Sequence, residues 1–356
     1  MKMTILGAGP IAFGAAALAA ERGHEPLIWA PAREGRPDPA AAAPMAYSGH
    51  FTGERRVAVE HDLARAIGAA DAVFLALRTN GHRDALDAVA AQVAPGVPVI
   101  IGSQISFSAA YLARALERRG QQNLIVALST TITTGRRHGP LTVLVSNIRK
   151  DVGLATLPAG LRDEGLALCT ALFGERFTPR EDVLAIALSS VSPQVHLALS
   201  MLNFTRIEKA EVWDQNGCST EAVAALITAL DEERCAIARV HGVEVQSMAG
   251  HNSGSFGAVA PSLAELFRQM AAKGQGSKGP TSTETRYVTE DVPFGIAGMV
   301  VLGRILGVPT PVHGAGLTVM NALYGRDFTG DNPFIPALGL ADLGREALAA
   351  LVRGTP

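Results

Sequence analysis

Two short segments in the second half of the chain carry side chains that could move a proton and hold an anion. SPQVHLALSMLN places His196 on a predicted helix, with Asn203 seven residues further along the same face. TRYVTEDVPFG brings together Arg286, Glu290 and Asp291. An imidazole whose tautomer is fixed by a carboxylate is a general acid or base, and an arginine can clamp a substrate carboxylate through two parallel hydrogen bonds. The two segments together therefore indicate an acid–base site with an anion-binding group.

Each of these residues also has a purely structural interpretation. His196 could be a satisfied histidine of a helix core, and Glu290 and Asp291 could be acidic residues at a helix N-terminus, where the helix dipole favours negative charge. The acid–base interpretation requires the imidazole of His196 and the carboxylate of Asp291 to meet, although they are 95 positions apart. Spacing alone leaves both interpretations open.

The segment ILGAGPIAFG near the start of the chain has a different chemistry. Gly7, Gly9 and Ala12 form G-x-G-x-x-A directly after a predicted strand and at the opening of a predicted helix. The first glycine permits a tight turn, the second lets the backbone approach a pyrophosphate, and the alanine allows close packing of helix on sheet. The pattern favours a dinucleotide site over a glycine-rich turn with no ligand. The predicted cofactor-binding residues are Gly7, Gly9, Pro10, Ile11, Ala12, Arg33 and Thr79.

The end of the second predicted strand, LIWAPAREGR, bears on the kind of dinucleotide. An NAD site usually has Asp or Glu there, about 20 residues beyond the glycines, to hold the ribose hydroxyls. Trp29, Ala30 and Pro31 occupy this place instead, and Arg33 and Arg36 follow. A guanidinium attracts an adenosine 2′-phosphate, so the sequence favours NADP over NAD. Both arginines could also be solvated loop charges.

The elements that must position these residues fall into two groups. Up to about Ser190, short apolar runs alternate with alanine-rich helical stretches, which is typical of βαβ units around a parallel sheet, whereas long helical patterns dominate afterwards. The sequence predicts an α/β fold, with an N-terminal Rossmann-type parallel sheet domain (1–190) followed by an all-helical C-terminal domain (191–356). The predicted strands are 3–6, 26–29, 72–77, 97–101 and 124–128, with 141–146 and 183–190 extending the sheet at its edge. The predicted helices include 10–22, 82–93, 108–119, 220–242, 261–273 and 290–307. The polar segment 273–286 is predicted to be a long loop, and such loops are more often functional than idle.

Composition excludes several classes of protein. The chain has 31 Lys+Arg and 33 Asp+Glu, a net charge of −2, which gives no electrostatic reason to bind nucleic acid or an anionic membrane. With 48% hydrophobic and 18% charged residues, global disorder is excluded. Three widely spaced cysteines form no metal-ligand pattern and suit a reducing compartment. The apolar run 3–20 is interrupted by Pro10 and glycines, so we expect no export signal there. We expect a cytoplasmic protein without a metal, a nucleic-acid partner or a membrane partner.

SPQVH…N followed by RYVTEDVPFG resembles the paired signatures of the octopine/nopaline dehydrogenase family of opine dehydrogenases. LIWAP and ALDEERCAIARVHG (229–242) resemble its octopine-synthase branch in particular. The resemblance covers essentially the whole chain, and RY-x-x-ED is its most specific part. It implies an enzyme that joins an amino acid to a 2-oxo acid and reduces the resulting imine with NAD(P)H, or runs the reverse oxidation. It also implies that His196 is the proton donor and acceptor, that Asp291 orients it, and that Arg286 holds a substrate carboxylate.

The resemblance implies further contacts with the substrate. Gln104 in IIGSQ and Thr131 in LSTTITTG match positions that contact the 2-oxo acid, although Thr130 stands beside Thr131 and both polar pairs could instead cap strand ends. Ser192 stands where the family often has Asn, and Pro10 where many members have Asn. Proline suits the first turn of a helix, and neither departure removes a group that the chemistry requires.

The identities of the two substrates are left open by the sequence. Asn203 is a further predicted substrate contact, and Glu208 and Glu211 are candidates to line the site of a cationic amino acid. The expected partners are small molecules; a helical domain like the C-terminal domain of 6-phosphogluconate dehydrogenase and assembly as a homodimer are compatible with the resemblance. Two other functions stay open: an NADP-dependent 2-oxo acid reductase of the same two-domain plan that needs no amine, and a non-catalytic dinucleotide-binding protein.

Overall fold

The computed structural model of the chain describes residues 1–31, 44–251 and 260–355. The predicted 2′-phosphate contact Arg33, together with Arg36, lies outside the described residues. The chain forms two compact units, the first made of Met1–Ala187 with Ala350–Pro356 and the second of Leu188–Ala349. The change of unit thus falls close to Ser190, whereas Ala350–Pro356 groups with the first unit and not with the second.

Among its described residues, the first unit contains a large sheet, a small sheet and six α-helices. Its strands are β1 (Lys2–Leu6), β2 (Glu25–Trp29), β3 (Met45–Gly49), β4 (Gly53–Arg55), β5 (Ala58–Glu60), β6 (Ala72–Leu75), β7 (Val99–Ile101), β8 (Ile125–Leu128), β9 (Thr133–Gly139), β10 (Thr142–Ile148), β11 (Val152–Leu157) and β12 (Phe177–Pro179). Its helices are α1 (Pro10–Glu21), α2 (Leu63–Gly68), α3 (His82–Gln92), α4 (Ser108–Glu117), α5 (Arg162–Phe173) and α6 (Val183–Leu188).

The large sheet has the strand order β12-β11-β8-β7-β6-β1-β2-β5. All neighbouring pairs are parallel except β11 with β8. Every residue of β6, β7 and β8 is buried, as expected for strands covered on both faces, and this explains their continuous apolar sequences. From β1 the chain builds outward through β2 to β5, and it then returns to build β6, β7 and β8 on the other side. The strand order therefore reverses between β1 and β6.

Neither predicted edge strand extends the large sheet. Residues 183–190 contain helix α6, because the carboxylate of Asp182 accepts hydrogen bonds from the amides of Leu184 and Ala185 and so starts a helix. Residues 141–146 do contain a strand, β10, but it belongs to a separate sheet of order β4-β3-β10-β9. The edge of the large sheet is formed by β11 and β12 instead.

The second unit is helical among its described residues, apart from a single bridge between Asp214 and Lys278. Its elements are α7 (Ser192–Leu202), α8 (Phe204–Glu208), α9 (Glu221–His241), α10 (Leu263–Ala272), α11 (Arg286–Thr289), a π-helical turn (Val292–Ile296), α12 (Ala297–Leu306), α13 (Pro311–Tyr324), α14 (Phe334–Ala337) and the start of α15 (Arg345–Arg353), whose last residues are part of the first unit. One helical stretch, Val183–Leu202, is long and apolar enough to cross a membrane, yet 83% of its apolar window is buried inside the protein. This is the burial that a core helix shows.

Candidate active site

The glycine-rich loop after β1 has the geometry of a phosphate-binding turn. Gly7 has φ +132°, and a Cβ added there would lie 2.6 Å from the main-chain oxygen of Ala76, so no other residue fits without a shift. Gly9 immediately precedes α1, and a Cβ added there would meet no atom within 4 Å. The first glycine is thus required by the fold, and the second leaves open space in front of a helix N-terminus.

This loop lies at the reversal of strand order, where ligands bind at the carboxyl ends of parallel strands. Ala12 is fully buried beneath the loop, while Pro10 and Ile11 in the first turn of α1 are half-buried. Thr79 is buried in a 3-10 turn that follows β6, the strand paired with β1. These residues fit a dinucleotide: the open face at Gly9 and the helix N-terminus behind it would hold the pyrophosphate.

Arg137 in β9 is a further residue at this loop, and the sequence did not predict it. Its guanidinium donates to the main-chain oxygen of Ala8 at 3.0 Å and lies 4.8 Å from the ring centroid of Phe13. A half-buried positive charge therefore supports a loop that has no basic residue of its own. No pattern in the sequence identified this contact, because it depends on where the small sheet packs.

The second unit brings His196 and Asp291 together. His196 lies on α7, whose first turn contains Pro193, and Asp291 lies between α11 and the π-helical turn. The Nδ1 atom of His196 is 2.7 Å from Oδ2 of Asp291, and the two residues are only 6% and 3% exposed. A carboxylate at Nδ1 fixes the tautomer, so that Nε2 is the nitrogen left to exchange a proton. This is the arrangement that the acid–base interpretation requires. Asp291 also directly precedes the π-helical turn, so the structural alternative, an acidic residue at a helix N-terminus, describes it as well.

Tyr287 covers the ring of His196. The two rings are parallel to within 12° and their centroids are 3.6 Å apart. The Tyr287 hydroxyl donates to Oε1 of Gln215 at 2.8 Å, and burial raises the pKa of this phenol, so it stays a neutral donor. The sequence motif containing Tyr287 was recognised, but nothing in its spacing predicted the stack.

Arg286 is exposed beside this stack, with its guanidinium carbon 6.0 Å from the ring centroid of Tyr287. Among the described residues it forms no ion pair. Its neighbour along the motif, Glu290, is buried. An exposed guanidinium next to a buried acid–base pair is well suited to bind a substrate carboxylate.

The comparisons with known proteins all point to opine dehydrogenases. The sequence profile of the NAD/NADP octopine/nopaline dehydrogenase alpha-helical domain matches residues 179–324. An opine dehydrogenase of Arthrobacter sp. (strain 1C) is 26% identical over 285 residues, which are 79% of each chain. Residues 179–324 of this chain therefore match the helical domain of the octopine/nopaline dehydrogenase family, and the chain as a whole is similar to an opine dehydrogenase. The family and this relative confirm the predicted enzyme class, an NAD(P)-dependent oxidoreductase acting on a CH–NH bond.

Solved structures of opine dehydrogenases share the fold. An octopine dehydrogenase with NADH and L-arginine superimposes with a TM-score of 0.82 at 17% identity, covering 100% of this chain and 98% of the other. A yersinopine dehydrogenase with NADP+ has a TM-score of 0.71 at 16% identity, covering 99% and 98%. The predicted Rossmann-type sheet domain followed by a helical domain is thereby confirmed. The matching family model is that of an NAD/NADP dehydrogenase, in agreement with the predicted cofactor.

Two residues predicted to contact the 2-oxo acid follow strands of the first unit. Gln104 comes after β7 and is only 1% exposed; its Nε2 donates to the oxygen of Val183 and its Oε1 accepts from the amide of Ala109, both at 2.8 Å. This is the capping role that the sequence left as an alternative. Thr131 comes after β8 and is half-buried, as is Thr130, so either hydroxyl is better placed than Gln104 to meet a ligand.

Three further predicted contacts lie in the second unit beyond His196. Asn203 ends α7, where its Nδ2 donates to the oxygen of Leu199 at 3.2 Å, and seven residues of helix place it about 10 Å along the axis from His196. Glu208 is exposed at the end of α8, and Glu211 pairs with Arg206 at 3.2 Å on the surface. Within the part of the chain that the structure describes, none of these three forms a hydrogen bond or an ion pair with His196 or Asp291. Among the described residues, no group of three or more His, Cys, Asp or Glu could hold a metal.

Proposed function

We propose that the protein joins the amino group of an amino acid to the carbonyl carbon of a 2-oxo acid and reduces the resulting imine, and that it also runs the reverse oxidation. The observation that carries the proposal is the buried His196–Asp291 pair, 2.7 Å between Nδ1 and Oδ2, in a helical unit of this family. Written in full, amino acid, 2-oxo acid, NAD(P)H and a proton give the opine, water and NAD(P)+.

His196 moves the proton in this scheme. Its Nε2 donates to the oxygen of the addition product of amine and carbonyl, which leaves as water and forms the C=N bond. Asp291 keeps its hydrogen bond to Nδ1 and stabilises the imidazolium by its charge. In the oxidation direction the same nitrogen takes up the proton. NAD(P)H, when bound at the glycine-rich loop, supplies the hydride.

Arg286 orients the substrate in the proposal. Both substrates and the product carry carboxylates, and a guanidinium can bind a carboxylate with two parallel hydrogen bonds. Its exposure beside Tyr287 supports this role. L-Arginine, which the similar octopine dehydrogenase structure contains, is the first amino acid to test.

We also propose that NADPH is preferred to NADH. Trp29 ends β2 and is followed by Ala30 and Pro31, so up to Pro31, where the described segment ends, no carboxylate follows this strand to hold the ribose hydroxyls. Titration of the protein with each reduced cofactor, followed by fluorescence, gives the two dissociation constants directly. Tighter binding of NADH would contradict this preference.

The decisive experiment is a matrix of amino acids against pyruvate, 2-oxoglutarate and glyoxylate, following the loss of NADPH and NADH. We expect cofactor loss only when both substrates are present, and a product whose mass is their sum less one oxygen atom. Turnover of the 2-oxo acid unaffected by any amine would identify the alternative reductase. Cofactor binding with no turnover for any pair would identify a non-catalytic dinucleotide-binding protein.

A further inference from the structure

The stack of Tyr287 on His196 has no part in the proton transfer described above, yet it limits how the imidazole can move. Asp291 holds one edge of the ring at Nδ1, which fixes its direction within the plane. A hydrogen bond to one edge still allows the plane to tilt about that bond. The Tyr287 ring, 3.6 Å away and nearly parallel, blocks this tilt on one face and excludes water from it.

Tyr287 is itself held at its far end. Its hydroxyl donates to Oε1 of Gln215, 72 positions earlier in the chain. The main-chain amide of Gln215 in turn donates to the oxygen of Ser277 at 3.0 Å. The position of the tyrosine ring therefore depends on the segment around Gln215 and on the polar loop 273–286.

This loop is attached to the rest of the unit by further contacts. The amide of Gly279 donates to the oxygen of Trp213, and the Trp213 indole donates to the oxygen of Pro280, both at 3.0 Å. A Cβ added to Gly279 would lie 2.0 Å from the indole ring, so only glycine lets the loop lie against Trp213. The hydroxyl of Tyr324 donates to the oxygen of Thr283 at 2.8 Å. A long segment without helix or strand is thus fixed at several points before it delivers Tyr287 into α11.

We propose that Tyr287 is a positioning residue for the His196 imidazole. We also propose that Gln215 and the loop 273–286 hold the Tyr287 ring in place. The inference rests on the proposed function, in which His196 transfers the proton. The loop 273–286 then has a function that the sequence did not show: its contacts with the rest of the unit fix the position of Tyr287, which follows it directly.

Substitutions can distinguish the contribution of the Tyr287 ring to kcat from that of its hydroxyl. Tyr287→Leu removes the flat surface, and the expected loss in kcat is about 10- to 100-fold, since small misplacements of a catalytic group have effects of this size. The KM values change little, because Tyr287 does not hold the substrate in the scheme. Tyr287→Phe keeps the ring and loses only the bond to Gln215, so kcat should return in part, to the same level as in Gln215→Ala. Gln215→Ala leaves the ring in the protein but releases its end, and an intermediate loss is expected.

The test combines these kinetics with NMR of the proton between His196 Nδ1 and Asp291, assigned by its absence in His196→Ala. In Tyr287→Leu we expect this resonance to broaden through exchange with water, and in Tyr287→Phe to persist. Tyr324→Leu is the matched control, because it removes another partly buried tyrosine that is bonded to the same loop but packs on Phe204 and Phe328. The control should lower the melting temperature without broadening the resonance.

The proposal is overturned if Tyr287→Leu keeps both kcat and the resonance of the parent protein while only its melting temperature falls, as in the control. An unchanged resonance and kcat in Gln215→Ala would overturn the role of the loop, and this variant keeps the test available if Tyr287→Leu does not fold. The NMR measurement needs no substrate. A failure of the proposed reaction would therefore show as absent turnover in the parent protein, with the resonance still reporting on Tyr287.

Discussion

Gly14 of α1 faces Thr133 of β9 at a distance that leaves no room for a side chain: a Cβ added to Gly14 would lie 2.3 Å from Oγ1 and 3.1 Å from Cβ of Thr133. In a helix interior, alanine is otherwise favoured over glycine by about 1 kcal/mol. Overpacking of this kind costs about 1–3 kcal/mol. The difference between the two leaves a net loss, and we therefore expect Gly14→Ala to lower the free energy of unfolding by up to about 2 kcal/mol, measured by urea denaturation.

Two variants make this prediction specific. Gly314→Ala lies in α13, where an added Cβ would meet nothing within 4 Å, and it should raise the stability slightly. Thr133→Ala removes a buried hydroxyl that has no hydrogen-bond partner among the described residues, and combined with Gly14→Ala it should recover most of the lost stability. Destabilisation by Gly14→Ala that persists in the double variant would show that the contact with Thr133 is not its cause.

The hydrogen bond from Arg137 to Ala8 predicts a weaker cofactor site when the arginine is replaced. Arg137→Met removes a positive charge close to the loop that would hold the pyrophosphate, and it also releases the Ala8 carbonyl. Removal of a charged hydrogen-bonding group costs about 1.5–3 kcal/mol, so the dissociation constant of NADPH should rise by about 10- to 100-fold. Fluorescence titration measures it.

The neighbouring residue provides the control for Arg137. Arg136 is an exposed arginine in the same strand, and successive side chains of a strand point to opposite faces. Arg136→Met removes the same charge and should leave the dissociation constant within about twofold, a range set by the low value of exposed charges. Equal weakening by both variants would mean that net charge, and not the contact with Ala8, governs the affinity.

The sequence could predict the elements whose signals are local. The run MTIL followed by Gly7 and Gly9 identified β1, the turn and the start of α1, because strand, turn and helix N-terminus each have their own pattern. The small sheet was missed since β9 contains RRHG and β4 contains GER, which show no apolar alternation. The apolar run 183–190 was assigned to a strand because a short continuous apolar run fits a buried strand and a buried helix equally well. The hydrogen bonds from the amides of Leu184 and Ala185 to Asp182 start a helix there.

The site was predictable to a similar degree. His196 and Asp291 were paired through the motifs that contain them, and the structure places their side chains within 2.7 Å. Gln104 could not be assigned from sequence, because a polar residue after a strand serves equally to bind a ligand or to cap backbone groups, and only its two internal hydrogen bonds distinguish these roles. Tyr287 and Arg137 act through contacts between elements distant in the chain, for which sequence spacing carries no information.

We expect the protein to lose stability at acidic pH, because the buried imidazole of His82 is harder to protonate in the folded protein than in the unfolded chain. This residue follows the 3-10 turn containing Thr79; Nδ1 faces Oγ of Ser108 at 2.9 Å and Nε2 faces the oxygen of Leu77 at 3.2 Å. Burial lowers the pKa of His82 from 6.5 to about 4. The unfolded chain therefore binds a proton in this range before the folded protein does, so the stability that His82 contributes is present above pH 6.5 and is lost as the pH falls toward 4.

Between pH 7 and pH 5 the pKa difference at His82 corresponds to a loss of about 2 kcal/mol in the free energy of unfolding. His82→Gln can still donate to Leu77 and accept from Ser108 but cannot be protonated. Between pH 7 and pH 5, its free energy of unfolding should therefore fall by about 2 kcal/mol less than that of the parent protein. Urea denaturation at the two pH values measures the difference. His50→Gln, at an exposed position, is the matched control, and a parallel acid dependence of the parent protein and His82→Gln would refute the prediction.

Replacement of His196 should abolish most of the turnover and spare the cofactor site. We expect His196→Ala to lower kcat by about 10²- to 10⁴-fold, the usual contribution of a positioned acid–base group. Asp291→Asn keeps the shape and a hydrogen bond at Nδ1 but loses the charge that stabilises the imidazolium, and a smaller loss is expected. The dissociation constant of NADPH should stay the same in both variants, because the glycine-rich loop belongs to the other unit.

The second unit contains another histidine–carboxylate pair, His313 with Glu233. Its replacement shows whether the loss of any buried histidine would lower kcat as His196→Ala is expected to do. Nδ1 of His313 lies 2.7 Å from Oε2 of Glu233, and this histidine is fully buried. The same carboxylate accepts from the amides of Val312 and His313 at the start of α13, so this pair caps a helix. His313→Ala should lower the melting temperature while kcat per folded molecule stays near that of the parent protein. A loss of kcat equal to that of His196→Ala, with cofactor binding intact in both, would remove the reason to assign the proton transfer to His196.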